Sequence, residues 1–486
     1  MVTIALDALE LELSDGVTLA VPASLDSMTT YVLLEQETWF EKELIFLRHW
    51  LQPGMTVIDI GANLGAYSLP MARLVGQTGK VFAFEPGSET RTLLERSREL
   101  NAAFNLQISA FALSDGAREG RLVFGHSSEL NALGDSGAGE TVRITSLDSE
   151  DAARGWPSPD FIKIDAEGEE ERILAGGRKF FARHSPLVMF EIKVSNKPNE
   201  QLRALFPAMG YRLFRQLGDS PILVPDDPTQ PVDAFELNLF AAKPDRVSDL
   251  AQRGLLVEAI PDWTPDESDC KKADSFWRSQ QFAPLVDMSG GRSVSPDSDY
   301  RSSLAAYATW RTADQPAETR CAALAFALHG MRSACIRAAT AGRLSTLARV
   351  AWEWGARDES VAALRRLLDM LQGGQIQFGE PFWPASLRFE SIALGDRPGD
   401  WFAGAAAEQL ERSSHFSSVF SGPSSFLEWL CGQPFAPAEM ERRRVLLGAR
   451  AGLRPIVPAR LRSPASDHLN ASVWRAGQVP GTIVEP

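Results

Sequence analysis

The sequence predicts an α/β fold, with a mostly parallel, Rossmann-like sheet in the first half of the chain and a mainly α-helical second half. Three observations predict it. An apolar run followed by Gly61 and Gly65 indicates a buried strand that turns sharply into a helix. A second buried strand ends in a carboxylate, Glu85. From about residue 301 the chain is rich in alanine and leucine, and its apolar residues have helical spacing.

Hydrophobic periodicity and turn residues predict the other elements of the first half. Alternation over residues 1–27 predicts a hairpin, and the aromatic-rich segment 38–51 predicts an amphipathic helix that packs on the sheet. Strands are predicted at 55–60, 80–84, 106–113, 121–125, 141–147, 161–164 and 187–192, and helices at 64–75, 88–100, 169–181 and 196–209. The last strands, 211–217, 221–224 and 235–242, follow one another without a helix, which indicates an antiparallel edge.

Composition limits the classes of function. The chain has 486 residues, enough for two or three domains, and its net charge of −14 disfavours nucleic acid or an anionic membrane as a partner. Its cysteines, Cys270, Cys321, Cys335 and Cys431, lie far apart without metal-site spacing, as is typical of reduced cytosolic thiols. No secretion signal precedes the fold, and no uncharged apolar run reaches about 18 residues. We therefore expect a soluble, cytoplasmic protein.

The glycine turn favours S-adenosylmethionine over other adenosine-bearing ligands. A dinucleotide site requires Gly-x-Gly-x-x-Gly, whereas only Gly61 and Gly65 are present. Asp59 precedes them, and its carboxylate would repel a pyrophosphate but suits the ammonium and sulfonium groups of S-adenosylmethionine. Glu85 lies 20 residues after Gly65, where a carboxylate can accept hydrogen bonds from both ribose hydroxyls. The alternatives are a nicotinamide site and a structural turn without a ligand.

Two further segments are candidates for ligand contact. Ser114 and Asp115 end the third predicted strand, where they can contact an adenine edge or simply form an Asp-Gly turn. Both interpretations remain open. The glycine- and serine-rich loop 126–140 can cover a substrate, since long loops in compact domains are often functional lids, or it can be mobile.

Three acids follow two predicted strands at the same edge of the sheet. Asp165 and Glu167 follow the strand 161–164, and Glu191 lies near the end of the next one. Like charges raise one another's pKa, so such a cluster is costly unless it is functional. Structural alternatives exist, because Glu191 can pair with Lys193 or Lys163, and Glu167 can cap the helix that follows.

Assembled in order, these motifs resemble the FkbM family of S-adenosylmethionine-dependent methyltransferases over residues 31–243. The matching segments are Leu51-Gln52-Pro53-Gly54, 58–65, Phe84-Glu85-Pro86, Ala112-Leu113-Ser114-Asp115, 162–168 and Phe190-Glu191-Ile192. The resemblance implies a class I methyltransferase sheet and O-methylation of a hydroxyl on a sugar, a glycan or a polyketide-like small molecule. The sequence departs from the family at Ala66-Tyr67-Ser68, where an aromatic residue often follows the glycine directly. The candidate cofactor contacts are Asp59, Gly61, Ala62, Asn63, Gly65, Glu85, Pro86, Ser114 and Asp115.

The strand-end acids are the candidate catalytic residues. Methyl transfer from a sulfonium is an in-line displacement, so the main task is to position the acceptor oxygen. Asp165 is expected to take the hydroxyl proton or to orient the methyl-donor end of the cofactor, and Glu167 and Glu191 to hold sugar hydroxyls. An alternative assigns Asp165 and Glu191 to a magnesium ion, which prefers oxygen ligands, although nothing in the sequence demands a metal.

The second half carries little readable chemistry. We divide the chain into a methyltransferase domain (1–245), a linker (246–300), an α-helical accessory domain (301–455) and an extended tail (456–486). Residues 354–364 weakly resemble a tetratricopeptide turn, but no repeat of about 34 residues is found. The helical half can bind the acceptor or a partner protein, form a homo-oligomer or support the first domain. A rival to the enzyme is a non-catalytic scaffold that keeps the cofactor fold while its helical half recruits a partner.

Overall fold

The structure, a computed structural model, describes residues 7–194, 197–288, 297–374, 378–422 and 424–484. Its strands are β1 (Ala8–Glu12), β2 (Thr18–Pro22), β3 (Thr56–Ile60), β4 (Lys80–Phe84), β5 (Leu106–Ser109), β6 (Phe111–Ser114), β7 (Arg118–Val123), β8 (Ala132–Leu133), β9 (Gly139–Ser146), β10 (Phe161–Ile164), β11 (Leu187–Glu191), β12 (Lys193–Val194), β13 (Lys197–Pro198), β14 (Arg212–Gln216), β15 (Leu223–Pro225) and β16 (Asn238–Ala242).

The α-helices are α1 (Met28–Gln36), α2 (Glu43–Trp50), α3 (Ser68–Val75), α4 (Ser88–Leu100), α5 (Leu147–Arg154), α6 (Glu170–Gly176), α7 (Arg178–Arg183), α8 (Glu200–Ala208), α9 (Pro244–Gln252), α10 (Glu267–Arg278), α11 (Pro284–Met288), α12 (Ser298–Trp310), α13 (Ala317–Arg337), α14 (Ala341–Trp354), α15 (Arg357–Gln372), α16 (Pro398–Ser413), α17 (Leu427–Cys431), α18 (Ala438–Arg450) and α19 (Ala471–Arg475). Short 3₁₀ helices lie at Ser128–Leu130, Leu387–Glu390, Ser418–Phe420 and Ala459–Arg462.

The central sheet has eight strands in the order β15-β14-β16-β11-β10-β3-β4-β5. The strands from β5 to β11 are parallel, while β16, β14 and β15 are joined by antiparallel pairing. This confirms the predicted, mostly parallel sheet with an antiparallel edge. Ile60 is in register with Phe84 on one side and with Ile164 on the other. The carboxyl ends of β3, β4 and β10 are therefore level, which brings the residues after them to one edge.

The third predicted strand is divided between two sheets. β5 pairs with β4, but after Ser109 the chain turns away, and β6 pairs with β9 in a small sheet of order β6-β9-β7-β8. A continuous apolar run does not reveal this change of partner, because both halves are partly buried. The predicted loop 126–140 contains a 3₁₀ turn and β8, where Leu133 pairs with Leu122. Short pairings of this kind leave little signal in a polar segment.

The second half is mainly helical, as predicted, and its core includes the buried rings of Tyr300, Tyr307, Trp383 and Trp401. α14 and α15 form the predicted helix pair, and Gly355 between them adopts φ +88°, a left-handed conformation that suits glycine at the end of a helix. This half is therefore held together by an aromatic core, to which Leu217, Ile222 and Val224 around β14 and β15 of the first half also contribute.

The predicted linker and tail differ from the structure. Helices α9 to α12 occupy much of 246–300, where Asp266 and Asp269 form a capping box at the start of α10 and Phe282 is fully buried. The segment 456–484 covers the first half, since the buried Leu461 and Trp474 pack in its core. The first segment is rich in proline, serine, aspartate and glycine and the second in proline, arginine and serine, and isolated anchoring residues in such a background give no periodic signal.

Buried ion pairs join the two halves. Arg443 lies 3.1 Å from Glu35, and Arg442 lies 3.2 Å from Glu37 on the segment after α1. The backbone N–H of Ser418 donates to Glu35 as well, at 3.1 Å. These contacts fix residues 415–420 next to the carboxyl edge of the sheet.

Two expectations from composition concern the cysteines and membrane association. All four cysteines are free thiols, and burial raises the pKa of Cys321 and Cys335 to about 12, so both are unreactive at neutral pH. Among the helices of the described residues, none combines the length and the apolar character that crossing a bilayer requires.

Candidate active site at the strand ends

A cavity of about 530 Å³ lies at the carboxyl ends of β3, β4, β10 and β11. We call it the cleft. Its floor includes Glu85, Asp165 and Glu191. The segment 128–133 forms one wall, and the helical half forms another with His415, Phe416 and Phe420. The two regions whose role the sequence left open thus both face the strand ends.

The turn after β3 requires glycine at two positions for different reasons. Gly61 has φ +79°, and a Cβ there would lie 1.7 Å from the carbonyl oxygen of Asp165. Gly65 has φ +93°, and a Cβ there would lie 2.5 Å from Leu69 and 2.6 Å from Leu94. Gly61 therefore lets two strand ends approach each other and lines the cleft, whereas Gly65 lets the turn pack on α3 and α4 and does not line it.

Glu85 is held by the backbone at the end of β4. Its carboxylate accepts hydrogen bonds from the N–H of Asn63 at 2.9 Å and of Gly87 at 2.7 Å. Burial raises the pKa of Glu85 to about 7. Each carboxylate oxygen has a second acceptor site, so the group can also receive hydroxyl donors from a ligand. Ala62, Asn63 and Pro86 line the cleft beside it, as predicted for cofactor contacts.

Asp59 lies one layer below the cleft. It is fully buried and does not line the cavity. One carboxylate oxygen accepts a hydrogen bond from Ser68, while the other lies 4.0 Å from the Lys163 ammonium and has no hydrogen-bond partner among the described residues. Burial raises the pKa of Asp59. Direct contact of Asp59 with a cofactor stays a prediction. In this structure Asp59 is connected to the cleft through its 4.0 Å contact with Lys163, which lines the cavity.

Ser114 and Asp115 do not line the cleft. The Ser114 hydroxyl donates to Glu169 at 2.6 Å, and the Arg118 guanidinium pairs with Asp115 at 2.5 Å. The preceding residues of β6 line the cavity instead, namely Phe111, Ala112 and Leu113. The Asp-Gly turn interpretation describes their placement here, and the adenine contact stays a prediction.

The opposite end of the cleft is acidic. Asp165, Glu167 and Glu191 each have a carboxylate oxygen within 4.8 Å of the other two. Burial, followed by the charge of Asp165, raises the pKa of Glu191 to about 10 and that of Glu167 to about 7. Glu167 also has φ +46°, a left-handed conformation that a residue with a side chain rarely adopts. Strain of this kind is concentrated at functional sites.

Lys163 neutralises part of this cluster. Its ammonium lies 2.7 Å from Asp165 and is 3% exposed. Burial opposes its charge, but Asp165, Asp59 and Glu41 outweigh that effect and raise the pKa of Lys163. Lys163 thus pairs with Asp165, not Glu191; the Lys193 side chain lies outside the described residues.

The predicted cap by Glu167 is not formed, because the N-cap residue of α6 is Glu169, which makes no side-chain cap hydrogen bond. Glu170 accepts hydrogen bonds from the N–H of Ala166 at 3.0 Å and of Gly168 at 3.2 Å. Glu167 lines the cleft instead.

Several lining residues were missed by sequence reasoning. Glu41 lies above the acidic end, where it accepts hydrogen bonds from the Tyr67 hydroxyl at 2.8 Å and the Asn238 amide at 2.7 Å. Lys163 had a signal, because a lysine inside an otherwise apolar strand must be buried with a partner. Glu41 and Phe416 had none, since each reaches the cleft only through tertiary packing.

The cleft fits the chemical groups of S-adenosylmethionine. Carboxylates outnumber cationic side chains among its lining residues, which suits a sulfonium and an ammonium. At the other end Glu85 can accept from ribose hydroxyls, and the apolar residues 111–113 form a slot suited to an adenine. The cleft therefore offers apolar surface for the adenine, acceptors for the ribose and negative charge for the cationic groups of this ligand.

Comparison with known proteins gives a family match within the first half. Residues 59–213 match the methyltransferase FkbM domain. No curated protein matches. The solved structures similar to this chain include methyltransferase FkbM from Methylobacillus flagellatus KT, at 18% identity and TM-score 0.27, covering 39% of this chain and 43% of that one. A SAM-dependent methyltransferase from Aquifex aeolicus is 15% identical, with a TM-score of 0.26, and the match covers 45% of this chain and 94% of that one. Precorrin-6y C5,15-methyltransferase from Geobacter metallireducens GS-15 is 12% identical, with a TM-score of 0.25, and the match covers 42% of this chain and 88% of that one. The chain thus contains, at residues 59–213, an FkbM methyltransferase domain, a family that implies S-adenosylmethionine as cofactor.

Proposed function

We propose that this protein is an S-adenosylmethionine-dependent O-methyltransferase whose acceptor is a hydroxyl of a sugar, a glycan or a polyketide-like small molecule. One observation carries the proposal. Glu167, whose pKa burial and the charge of Asp165 raise to about 7, lines the acidic end of the cleft, away from the Glu85 end. A carboxylate with that pKa is suited to accept a proton from a hydroxyl at neutral pH.

The two ends of the cleft would bind different parts of the cofactor. Glu85 would hold the ribose, with Asn63 and Pro86 beside it, and residues 111–113 would enclose the adenine. Asp165 and Glu191 would lie toward the cationic end. When bound, the cofactor supplies an electrophilic methyl group. The protein's contribution is to fix the acceptor oxygen on the side opposite sulfur, and such positioning can lower a barrier by roughly 7–11 kcal/mol.

Glu167 is the proposed general base. A hydroxyl that donates a hydrogen bond to Glu167 is held in place and loses its proton to the same carboxylate as the new bond forms. Burial and the neighbouring acids disfavour the charged form of Glu191 and raise its pKa to about 10, so this side chain keeps its proton at neutral pH. A protonated Glu191 can donate a hydrogen bond to an acceptor oxygen as well as receive one.

Asp165 is proposed to act as a positioning residue. The sequence left two roles open for it, the base and the group that orients the methyl-donor end. Its ion pair with Lys163 at 2.7 Å favours the orienting role, because the ammonium donates to one carboxylate oxygen and fixes the side chain in place. Lys163 in turn is anchored from below by Asp59.

We propose that the acids work without a divalent metal. The Lys163 ammonium already lies 2.7 Å from Asp165. A cationic side chain in contact with one of the acids weakens the cluster as a magnesium site. Methyl transfer is therefore expected to be the same in excess EDTA and in added magnesium, measured as S-adenosylhomocysteine released. A rate that falls with EDTA and returns with magnesium would restore the metal alternative.

The proposal is tested by product analysis. Purified protein is incubated with S-adenosylmethionine and a panel of methyl glycosides, oligosaccharides and hydroxylated macrolactones, and the products are assigned by mass spectrometry and NMR. A methyl ether on one of the hydroxyl groups is expected. Transfer to nitrogen, carbon or sulfur would contradict the O-methyl assignment. Absence of cofactor binding would favour the scaffold alternative.

A further inference from the structure

A group of aromatic side chains from both halves of the chain lines the cleft, namely Trp39, Phe40, Phe235, Phe416 and Phe420. We call it the aromatic cluster. Its rings touch one another: the ring centroids of Trp39 and Phe40 are 4.6 Å apart, those of Phe40 and Phe416 5.1 Å, and those of Phe235 and Phe416 5.5 Å. The proposed chemistry gives this surface no role.

We propose that Phe416 and Phe420, which the helical half supplies, determine acceptor specificity by binding a flat apolar ring of the acceptor beside its reacting hydroxyl. The inference rests on the proposed function and narrows its substrate class to hydroxylated compounds that carry such a ring, as opposed to an unmodified oligosaccharide. The helical half then selects the acceptor, and the first half carries the transfer chemistry.

The aromatic cluster borders the acidic end of the cleft. The ring N–H of Trp39 donates to Glu41 at 2.8 Å, and Phe40 directly precedes Glu41 in the chain. Burial raises the pKa of Glu41, and the charges of Lys163 and Asp165 act on it as well, so Glu41 lies near both groups. An acceptor that contacts the cluster is therefore close to the acids that include the proposed general base.

The rings of the cluster are accessible to a ligand. Phe420 is 49% exposed, and the other four side chains are only partly buried. Covering apolar surface is favourable, and offset or edge-to-face contacts between aromatic rings add to that gain. An apolar ring of the acceptor obtains both contributions, whereas sugar hydroxyls lose hydration against the same surface.

The cluster offers no free hydrogen-bond donor. Its one polar side-chain atom, the ring nitrogen of Trp39, already donates to one oxygen of Glu41. The other oxygen of Glu41 accepts from the Tyr67 hydroxyl at 2.8 Å and the Asn238 amide at 2.7 Å. An apolar ring needs no such partner, so these contacts favour it over a second sugar ring.

Arg357 fixes the rings of the helical half. Its guanidinium donates to the carbonyl oxygens of Ser413 at 2.7 Å and His415 at 2.8 Å. The same group lies 4.8 Å from the centre of the Phe416 ring and 4.2 Å from that of Phe235. One side chain thus ties the end of α16 to a ring of the first half. A surface held in this way loses little conformational entropy when a ligand binds.

Two matched probes test for the apolar ring. Methyl β-D-glucopyranoside and phenyl β-D-glucopyranoside carry the same sugar hydroxyls and differ only in the apolar group. Their affinities are measured by saturation-transfer NMR with saturating S-adenosylhomocysteine, so that the slot at residues 111–113 is filled. We expect the wild-type protein to bind the phenyl glucoside about tenfold more tightly. Equal affinities, or no binding of either probe, would overturn the inference.

Variants assign the preference to the helical half. Phe420→Ala removes a half-exposed ring and should reduce the preference to about threefold. Phe104→Ala is the control, because Phe104 is 78% exposed and does not line the cleft, and it should keep the full preference. A full preference in both Phe420→Ala and Phe416→Leu would overturn the role of the helical half.

A crystal structure of the wild-type protein with the phenyl glucoside decides if the variants do not fold. A phenyl ring in contact with Phe416 or Phe420 is expected, and a phenyl ring away from both would overturn the inference.

The failure of this inference can be told apart from the failure of the proposed function. S-adenosylhomocysteine affinity is measured by calorimetry on the same samples. Cofactor binding without a preference for the phenyl glucoside overturns the inference alone. Absence of cofactor binding overturns the methyltransferase proposal, and with it the inference that rests on it.

Discussion

The two ends of the cleft are built from the same residue type at the same edge of one sheet, yet they differ in what surrounds each carboxylate. At one end Glu85 receives two backbone N–H groups. At the other end Asp165, Glu167 and Glu191 face one another, and a single ammonium, from Lys163, lies against Asp165. Burial raises the pKa of Glu85 and of Glu167 alike to about 7, but backbone donors hold Glu85 in place as an acceptor of hydrogen bonds, whereas crowding by acids helps to raise the pKa of Glu191 further, to about 10. The comparison teaches that neighbours, not position at a strand end, separate binding from proton transfer.

The largest expected effect is at the acidic end. Glu167→Gln keeps the shape of the side chain but removes the base, so kcat should fall by about 10²–10⁴-fold. Affinity for S-adenosylmethionine, measured by calorimetry, should stay the same because Glu85 is untouched. A kcat within a few-fold of the wild-type value would show that Glu167 is not the base.

The next effect is at the other end. Glu85→Ala removes the acceptor proposed for the ribose, so affinity for S-adenosylmethionine and S-adenosylhomocysteine should fall by about 100-fold, as for the loss of two hydrogen bonds to a charged group. Calorimetric titration measures it. Glu95→Ala is the matched control, because Glu95 is an exposed acid on the following helix, α4. Equal affinity of both variants would remove Glu85 from the cofactor site.

The Glu85 end could be predicted from sequence because its chemistry is local. A strand, a glycine turn and a second strand ending in an acid lie within 30 residues, and their geometry follows from backbone rules. The acidic end could be predicted in part: parallel strands bring Asp165 and Glu191 to one edge. The ion pair of Asp115 with Arg118 could not be predicted, because it depends on β6 pairing with β9 in the small sheet and not with the central sheet.

The wall that the helical half adds to the cleft could not be predicted from any local pattern. Phe416 and Phe420 lie more than 200 residues after the last strand-end acid, in a segment without periodicity. They reach the cleft because Arg442 and Arg443 are clamped to the residues around α1. Contacts over such a separation depend on the complete fold, and a single sequence does not encode them in any local pattern.

The pH dependence of the reaction rate is an effect of intermediate size, and it tests the contrast between the two ends of the cleft. A base must be ionised to act, and burial together with Asp165 raises the pKa of Glu167 to about 7. The value of kcat/KM for the acceptor should therefore rise about tenfold per pH unit below pH 7 and level off above it. It is measured at saturating S-adenosylmethionine, because the pKa of Glu85 is also about 7 and cofactor binding must not limit the rate. Initial rates between pH 5.5 and about 8.5 measure this profile, with Glu167→Gln as the variant whose residual rate should lose the inflection. A wild-type profile that is flat through pH 7 would contradict the assignment.

The smallest effect is on stability, and it distinguishes the two ends without any substrate. An unfolded glutamate ionises near its ordinary pKa of 4.5, while burial and the neighbouring acids keep Glu191 protonated in the folded protein up to about 10. The folded state then binds more protons than the unfolded state between these values, so this residue lowers the free energy of unfolding progressively as pH rises through that window. Glu191→Gln should remove this fall in the free energy of unfolding. The variant should be more stable than the wild-type protein by at least about 1 kcal/mol at pH 8, with little change near pH 4.5. Chemical denaturation at both pH values measures the difference, and Glu89→Gln, an exposed acid on α4, is the control. If Glu191→Gln were neutral or destabilising at pH 8, the acids would not be crowded as the structure places them, and the two ends of the cleft would differ in their backbone donors alone.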